Sequence, residues 1–99
     1  MAAYRGRCFL TGEKIPEVLE AAHIVPVDQR GADDQNNGIC LRVDIHRLFD
    51  SGNLRMRPTG DIVLSAATAA SQNYNQLPKK MVYPRFLNPA NIEWRDRYL

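Results

Sequence analysis

Two histidines, His23 and His46, are the side chains of this sequence best suited to acid–base or metal chemistry. Asp50 follows His46 by four residues, so on a helix the imidazole and the carboxylate project from one face. Such a pair can share a divalent cation, because both groups are ligands for these ions. The imidazole of His23, if it faced that pair, would act as a base near the cation. The combination indicates metal-assisted cleavage of a phosphodiester.

The local pattern predicts the elements that must position these groups. Residues 18–25 are mostly apolar, and the stretch ends at Pro26. Its β-branched last residues predict a strand, although its alanines and leucine also suit a helix. A polar loop with a turn at Asn37-Gly38 leads to a short strand over residues 39–41. Asp44 stands where it could cap a short helix over residues 45–50, which Ser51-Gly52 ends. His23 is thus predicted at a strand end and His46 on a helix.

The rest of the chain predicts a hairpin and further helices, with no repeat and no linker. Strands are expected at residues 54–57 and 62–65, a helix-compatible stretch at 66–77, an extended segment at 78–88 and a last helix opening at Asn88 or Pro89. The prediction is therefore an α+β fold.

Composition limits the class of protein. The 99 residues are 44% hydrophobic and 24% charged, which is typical of one globular domain. No apolar run approaches the roughly 18 to 20 residues that span a bilayer, and residues 1–10 lack a signal-peptide core. We therefore expect a cytoplasmic protein without membrane contact. Two cysteines, Cys8 and Cys40, cannot build a disulfide framework, and we expect buried free thiols.

Charge is distributed unevenly along the chain. Residues 1–50 carry a net −2 and residues 51–99 a net +4, and ten of the thirteen basic residues are arginine. The planar guanidinium suits paired phosphate contacts, so a basic half is compatible with a nucleic-acid partner. Charge alone, however, favours an ordinary solvated surface.

Three segments together resemble the HNH endonucleases, a family with a ββα-metal core. They are EAAHIVP at 20–26, NGICLR at 37–42 and DIHRLFDSG at 44–52. The resemblance extends to Tyr4 and CFLTG at 8–12 before them, and to Tyr74, Leu77, Pro78, Pro89, Trp94 and Arg95 after them. Among such proteins the chain resembles nuclease domains of bacterial restriction-type proteins, some of which are fused to a reader of modified bases.

The resemblance implies a ββα-metal core with an additional short β-hairpin and flanking helices. One nuclease domain would fill residues 1–99, with the core motif at about 18–52 and the hairpin and C-terminal helices at 53–99. Its activity would be metal-dependent hydrolysis of double-stranded DNA to 5′-phosphate and 3′-hydroxyl ends, in restriction or defence. A homodimer, or a larger protein with a DNA-recognition domain, would fit that role.

The resemblance also implies a role for each site residue. His23 would be the general base that deprotonates the attacking water, and Asn37 would brace the loop that orients it. His46 and Asp50 would ligate the metal. Apart from the resemblance, nearness to the proposed site in sequence ranks four arginines first as contacts to DNA phosphates: Arg42, Arg47, Arg55 and Arg57. Lys79 and Lys80 suit a phosphate contact and a solvated surface equally.

Two departures from the family pattern affect the metal. Many members carry Asp or His just before the first histidine as a further ligand, and here that residue is Ala22. A shell of His46, Asp50, waters and substrate oxygens predicts weak binding of Mg²⁺ or Mn²⁺, with Ni²⁺ and Zn²⁺ as alternatives. The paired Cys-x-x-Cys knuckles of many members are incomplete here, since Cys8 is followed by Phe9-Leu10-Thr11. We therefore expect no structural zinc.

Other interpretations remain open from the sequence alone. The missing ligand at Ala22 also suits a nucleic-acid-binding domain that keeps the fold without catalysis. A zinc-held binding module would use Cys8, His23, Cys40 and His46, although no short cysteine knuckle supports it. Asp50 would instead be structural if it paired with Arg47 or Arg55. Tyr83, Phe86 and Trp94 are expected to pack the C-terminal helix against the core.

Overall fold

The computed structural model describes residues 2–29 and 31–99. Within these residues, three α-helices and two strand pairs form an α+β fold, and single 3₁₀ turns join them. The strands are β1 (Leu19–His23), β2 (Gly38–Arg42), β3 (Leu54–Met56) and β4 (Ile62–Leu64); the helices are α1 (Val43–Asp50), α2 (Ala66–Ala69) and α3 (Pro89–Tyr98); the 3₁₀ turns are Ala2–Tyr4, Pro16–Val18, Val27–Gln29 and Gln35–Asn37. The predicted fold class is confirmed at this level.

The first strand pair and the helix after it form the central unit. β1 runs antiparallel to β2, with Glu20 opposite Leu41, Ala22 opposite Ile39 and His23 opposite Gly38. Because side chains alternate along a strand, Glu20 and Ala22 share one face, whereas His23 points to the other. Helix α1 covers the face of Glu20, since His46 of α1 contacts that residue. Ala22, Ile39 and Leu41 are buried beneath it.

One hydrophobic core joins this unit to the rest of the chain. It contains Phe49 of α1, Leu54 and Met56 of β3, Ile62 of β4 and Ile92 of α3, all at most 7% exposed. Cys8 and Cys40 belong among the buried residues as free thiols, as expected. Residues 8–10 lie along the outer edge of β2, where the Phe9 N–H donates to the Cys40 carbonyl at 2.8 Å.

Two predicted helix boundaries are wrong. The expected capping role of Asp44 is not observed, because α1 already begins at Val43 with Arg42 as its N-cap residue. The carboxylate of Asp44 instead accepts hydrogen bonds from Arg42 and from the Tyr74 hydroxyl, at 2.6 to 3.0 Å. These bonds, the one from Arg42 above all, lower the pKa of the Asp44 carboxyl.

The stretch predicted as helix-compatible at residues 66–77 is helical only over Ala66–Ala69. Ser65 caps this short helix through its side chain, and the following polar residues form successive turns that bring Tyr74 to Asp44. The hairpin of β3 and β4 and the start of α3 at Pro89, capped by Asn88, are confirmed. Within residues 2–29 and 31–99, no helix combines the length and apolar character that a bilayer crossing requires.

Candidate functional site

The helix α1 brings His46 and Asp50 together as the spacing predicts. The Nε2 atom of His46 lies 3.1 Å from Oδ2 of Asp50, one turn further along the helix. In an octahedral shell with bonds of about 2.1 Å, neighbouring ligand atoms stand about 3.0 Å apart. The distance between the two atoms therefore fits adjacent positions around one divalent cation. Among the described residues, the ion pair of Asp50 is with His46, and the alternative pairing with Arg47 or Arg55 is not observed.

A third carboxylate touches the same imidazole and was missed from the sequence. Oε1 of Glu20 lies 2.9 Å from Nδ1 of His46, on the side of the ring opposite Asp50. One ion cannot contact all three groups in this arrangement. In agreement with that geometry, the described part of the chain contains no group of three or more His, Cys, Asp or Glu residues placed to hold a metal. The zinc-held module of Cys8, His23, Cys40 and His46 therefore has no support.

The signal that could have identified Glu20 was present in the sequence. Glu20 lies two residues before Ala22, so on a strand it shares the face of Ala22. The family resemblance of the sequence implies a metal ligand at the position that Ala22 occupies. A longer acidic side chain on that face was therefore the residue to expect near the helix.

His23 lies in different surroundings. Its Nε2 atom is 2.9 Å from Oδ1 of Asp33, a residue of the polar loop that the sequence did not single out. His23 and Asp33 line a cleft together with Tyr4 and Gln35, whereas Asp50 lines another cleft beside Arg55. The described contacts thus do not confirm the expectation that both imidazoles face one cation site.

The separation between the two halves of the site follows from the strand. Glu20 and His23 are three residues apart on β1, which corresponds to about 10 Å at about 3.3 Å per residue. Their side chains leave the strand on opposite faces. Any substrate that engages both halves must therefore reach across the edge of β1.

Asn37 connects the loop to the end of β1. Its side chain is fully buried, and Oδ1 accepts the Val25 N–H at 2.9 Å while Nδ2 donates to the carbonyls of Val25 and Ala32. The Asn37 carbonyl also accepts the Ile24 N–H at 3.0 Å. One side chain therefore holds both the backbone that follows His23 and the residue that precedes Asp33.

Arg95 of α3 ties together the backbones that carry the two halves. Its guanidinium donates to the carbonyl of Ile24, next to His23, at 2.9 Å and to the carbonyl of Phe49, next to Asp50, at 2.8 Å. The same group lies 3.6 Å from the centroid of the Phe49 ring. Burial lowers the pKa of Arg95 to about 10, and the group remains charged at neutral pH.

The six basic residues expected to contact DNA divide into two sets. Arg42 is bound to Asp44, Arg55 donates to the carbonyls of Asp96 and Leu99, and Arg57 lies 3.5 Å from the Asp96 carboxylate. Those three arginines have intramolecular partners. Arg47, Lys79 and Lys80 are exposed and make no side-chain hydrogen bond or ion pair with the residues that the structure describes.

Comparison with known proteins supports the predicted resemblance. Residues 8–55, just under half of the chain, match a family model described as HNH endonuclease. The matched range includes His23, Asn37, His46 and Asp50. The resemblance to this family is therefore confirmed for that range. A search of curated proteins finds no match.

A solved structure shares the fold. It is titled "Modification dependent TagI restriction endonuclease", and it superposes with a TM-score of 0.71 at 22% sequence identity. The superposition covers 99% of this chain and 35% of the other, so this chain spans about a third of that protein's length. At this identity the likeness concerns the fold alone.

Proposed function

We propose, from the match of residues 8–55 to the HNH endonucleases, that this chain is a metal-dependent DNA endonuclease with a ββα-metal core formed by β1, β2 and α1. The single observation that carries the proposal is the distance of 3.1 Å between His46 Nε2 and Asp50 Oδ2 within that segment. The products are a 5′-phosphate and a 3′-hydroxyl.

His46 and Asp50 would hold one divalent cation, with Mg²⁺ or Mn²⁺ preferred because the remaining ligands would be waters and substrate oxygens. When bound there, such a cation would supply positive charge beside the scissile phosphate, where negative charge develops during cleavage. The proximity of the two side chains on one helix face supports this assignment, since the folded chain already sets the separation that adjacent ligands need.

His23 acts as the general base in this proposal. With the Asp33 carboxylate accepting from Nε2–H, neutral His23 keeps its proton on Nε2 and presents the lone pair of Nδ1. Nδ1 takes a proton from the attacking water, and the nearby carboxylate stabilises the imidazolium that results. Asn37 holds the backbone on both sides of this pair and does not itself react.

The proposal also covers the partners of the nuclease unit and its location in the cell. The restriction endonuclease that shares the fold is about three times as long as this chain. A larger protein with a separate DNA-recognition domain would fit the proposed nuclease. A homodimer would place two sites on opposite strands of a duplex, as double-strand cleavage requires. The proposed location is the cytoplasm, where such an enzyme meets double-stranded DNA.

Plasmid cleavage tests the proposed function. Supercoiled DNA incubated with the protein and Mg²⁺, Mn²⁺ or Ni²⁺ should be nicked, and EDTA should prevent it. Loss of the base in His23→Ala should slow nicking by about 10²- to 10⁴-fold, whereas Asp28→Ala, an exposed change in the same loop region, should leave the rate unchanged. DNA ligase should reseal the nicks, since it requires 5′-phosphate and 3′-hydroxyl ends. Equal rates for wild type and His23→Ala would refute the role of His23.

A second candidate function is DNA binding without cleavage. The observation that favours it is the separation of His23, paired with Asp33, from the His46–Asp50 pair. Salt-sensitive binding of duplex DNA, with no nicking under any of the three ions, would establish this alternative and exclude the endonuclease.

A further inference from the structure

The imidazole of His46 is held at both nitrogens by carboxylates from different elements. Glu20 of β1 approaches Nδ1 at 2.9 Å, and Asp50 of α1 approaches Nε2 at 3.1 Å. The His46 side chain is 21% exposed, whereas Glu20 and Asp50 are 49% and 61% exposed. Of the two carboxylates, only that of Glu20 fixes the ring relative to the strand, because Asp50 belongs to the same helix as His46.

The position of Glu20 determines which nitrogen can bind an ion. A neutral imidazole carries one proton, which Glu20 can accept from Nδ1 or Asp50 from Nε2. The contact with Glu20 is the shorter of the two and favours the proton on Nδ1, which leaves the lone pair of Nε2 for a cation beside Asp50. Carboxylates that bind the second nitrogen of a metal-bound histidine fix its tautomer and orientation in this way, and their loss typically weakens metal affinity by about 10- to 100-fold.

We infer that Glu20 is a positioning residue that accepts the Nδ1–H of His46 and thereby prepares Nε2, with Asp50, for a divalent cation. This inference rests on the proposed ion site. It also explains how β1 can contribute to the site without a metal ligand at Ala22. The strand would affect the cation indirectly, because Glu20 orients the ring of His46. Glu20 and Asp50 stand at opposite nitrogens, so Glu20 is not a third ligand.

Two substitutions at Glu20 separate this role from direct ligation. Glu20→Ala removes the acceptor, whereas the amide oxygen of Glu20→Gln can still accept from Nδ1–H. Titration of Mn²⁺ into DNA-free protein, followed by the electron paramagnetic resonance signal of the free ion, should show an affinity loss of about tenfold or more for alanine. Glutamine should restore most of it. The control is Glu17→Ala, which removes an exposed acidic residue upstream of β1 without loss of affinity.

A spectroscopic measurement tests the tautomer without any metal. In ¹⁵N-labelled, ion-free protein with neutral His46, the ring shifts should report a larger share of Nδ1–H in the wild type than in Glu20→Ala, where Asp50 alone accepts the ring proton, from Nε2. Unchanged tautomer and unchanged affinity in Glu20→Ala would overturn the inference. Equal affinity losses for alanine and glutamine would also overturn it, because only a direct carboxylate ligand tolerates neither.

The two hypotheses can fail separately. If wild-type protein binds no Mn²⁺, or His46→Ala binds it equally well, the proposed ion site is wrong. The ring-nitrogen shifts still decide whether Glu20 sets the tautomer of His46, and a tautomer insensitive to Glu20→Ala contradicts the inference in either case.

Discussion

A contact between two site residues was predictable from the sequence where both residues lie on the same helix. The pairing of His46 with Asp50 follows from their spacing of four on a helix, and the structure has it at 3.1 Å. The contact of Asp33 with His23 depends on how the loop folds against β1, so spacing along the chain could not reveal it. Glu20 was missed although its place on the strand face of Ala22 indicated it. The roles of these residues in catalysis remain predictions.

Asn37 offers a test of how one side chain holds the loop. Replacing it by alanine removes the partners of the Val25 N–H and of the Val25 and Ala32 carbonyls. Each buried group left unsatisfied costs about 1 to 3 kcal/mol, and water entering the loop offsets part of the sum. We expect Asn37→Ala to lower the free energy of unfolding by about 3 kcal/mol in urea denaturation.

The matched control is the neighbouring Asn36→Ala, because the side chain of Asn36 is exposed and its hydrogen bonds are made by the backbone. That variant should change stability by less than about 0.5 kcal/mol. Equal stability of the two variants would contradict the account of Asn37 as a buried brace.

At the level of elements, the sequence predicted β1, β2, α1, the hairpin and α3 because each has a local signal. Pro89 after Asn88 marks the start of α3, and the alternation around a central turn marks β3 and β4. The prediction of a helix-compatible stretch at residues 66–77 was wrong beyond Ala69. Its alanines favour a helix, but the chain turns after them, and the Tyr74 hydroxyl donates a tertiary hydrogen bond to Asp44.

Arg95 connects α3 to the backbones beside His23 and Asp50. No pattern in the sequence indicated these two contacts. Arg95→Met keeps much of the aliphatic stem but leaves the Ile24 and Phe49 carbonyls without these donors. We expect a loss of about 2 to 4 kcal/mol in the free energy of unfolding, since hydrogen bonds from charged groups contribute about 1.5 to 3 kcal/mol each.

The same substitution at Arg97, an exposed arginine on the same helix, provides the comparison. Arg97→Met should leave stability within about 0.5 kcal/mol of the wild type. If Arg95→Met were as stable as Arg97→Met, Arg95 could not be the connection between the end of β1 and the end of α1.

For the whole molecule, length and composition predicted one globular domain, and the order of strand and helix patterns predicted the α+β class. The uneven charge was compatible with a nucleic-acid partner. The structure refines that suggestion. Arg42, Arg55 and Arg57 already have intramolecular partners, so we expect the exposed Arg47, Lys79 and Lys80 to supply more of the affinity for phosphates. Sequence could not make this distinction, because the partners of Arg55 and Arg57 lie about 40 residues away along the chain.

Salt dependence of DNA binding tests this division. The slope of log affinity against log salt should decrease in magnitude by about 1 for each phosphate-contacting lysine removed, so Lys79→Ala/Lys80→Ala should flatten it by about 2. Lys14→Ala, an exposed lysine in the acidic first half, should leave the slope unchanged. Fluorescence anisotropy with a labelled duplex in EDTA measures binding without cleavage. An unchanged slope in the double variant would remove both lysines from the interface.

The most direct test of the account is the position of Mn²⁺, located by its anomalous scattering in crystals of the wild-type protein. The account predicts one ion within about 2.0 to 2.6 Å of His46 Nε2 and an Asp50 carboxylate oxygen, with Glu20 still on Nδ1 and His23 outside the coordination shell. An ion bound by His23 and Asp33, or crystals in saturating Mn²⁺ with no ion at His46, would contradict it.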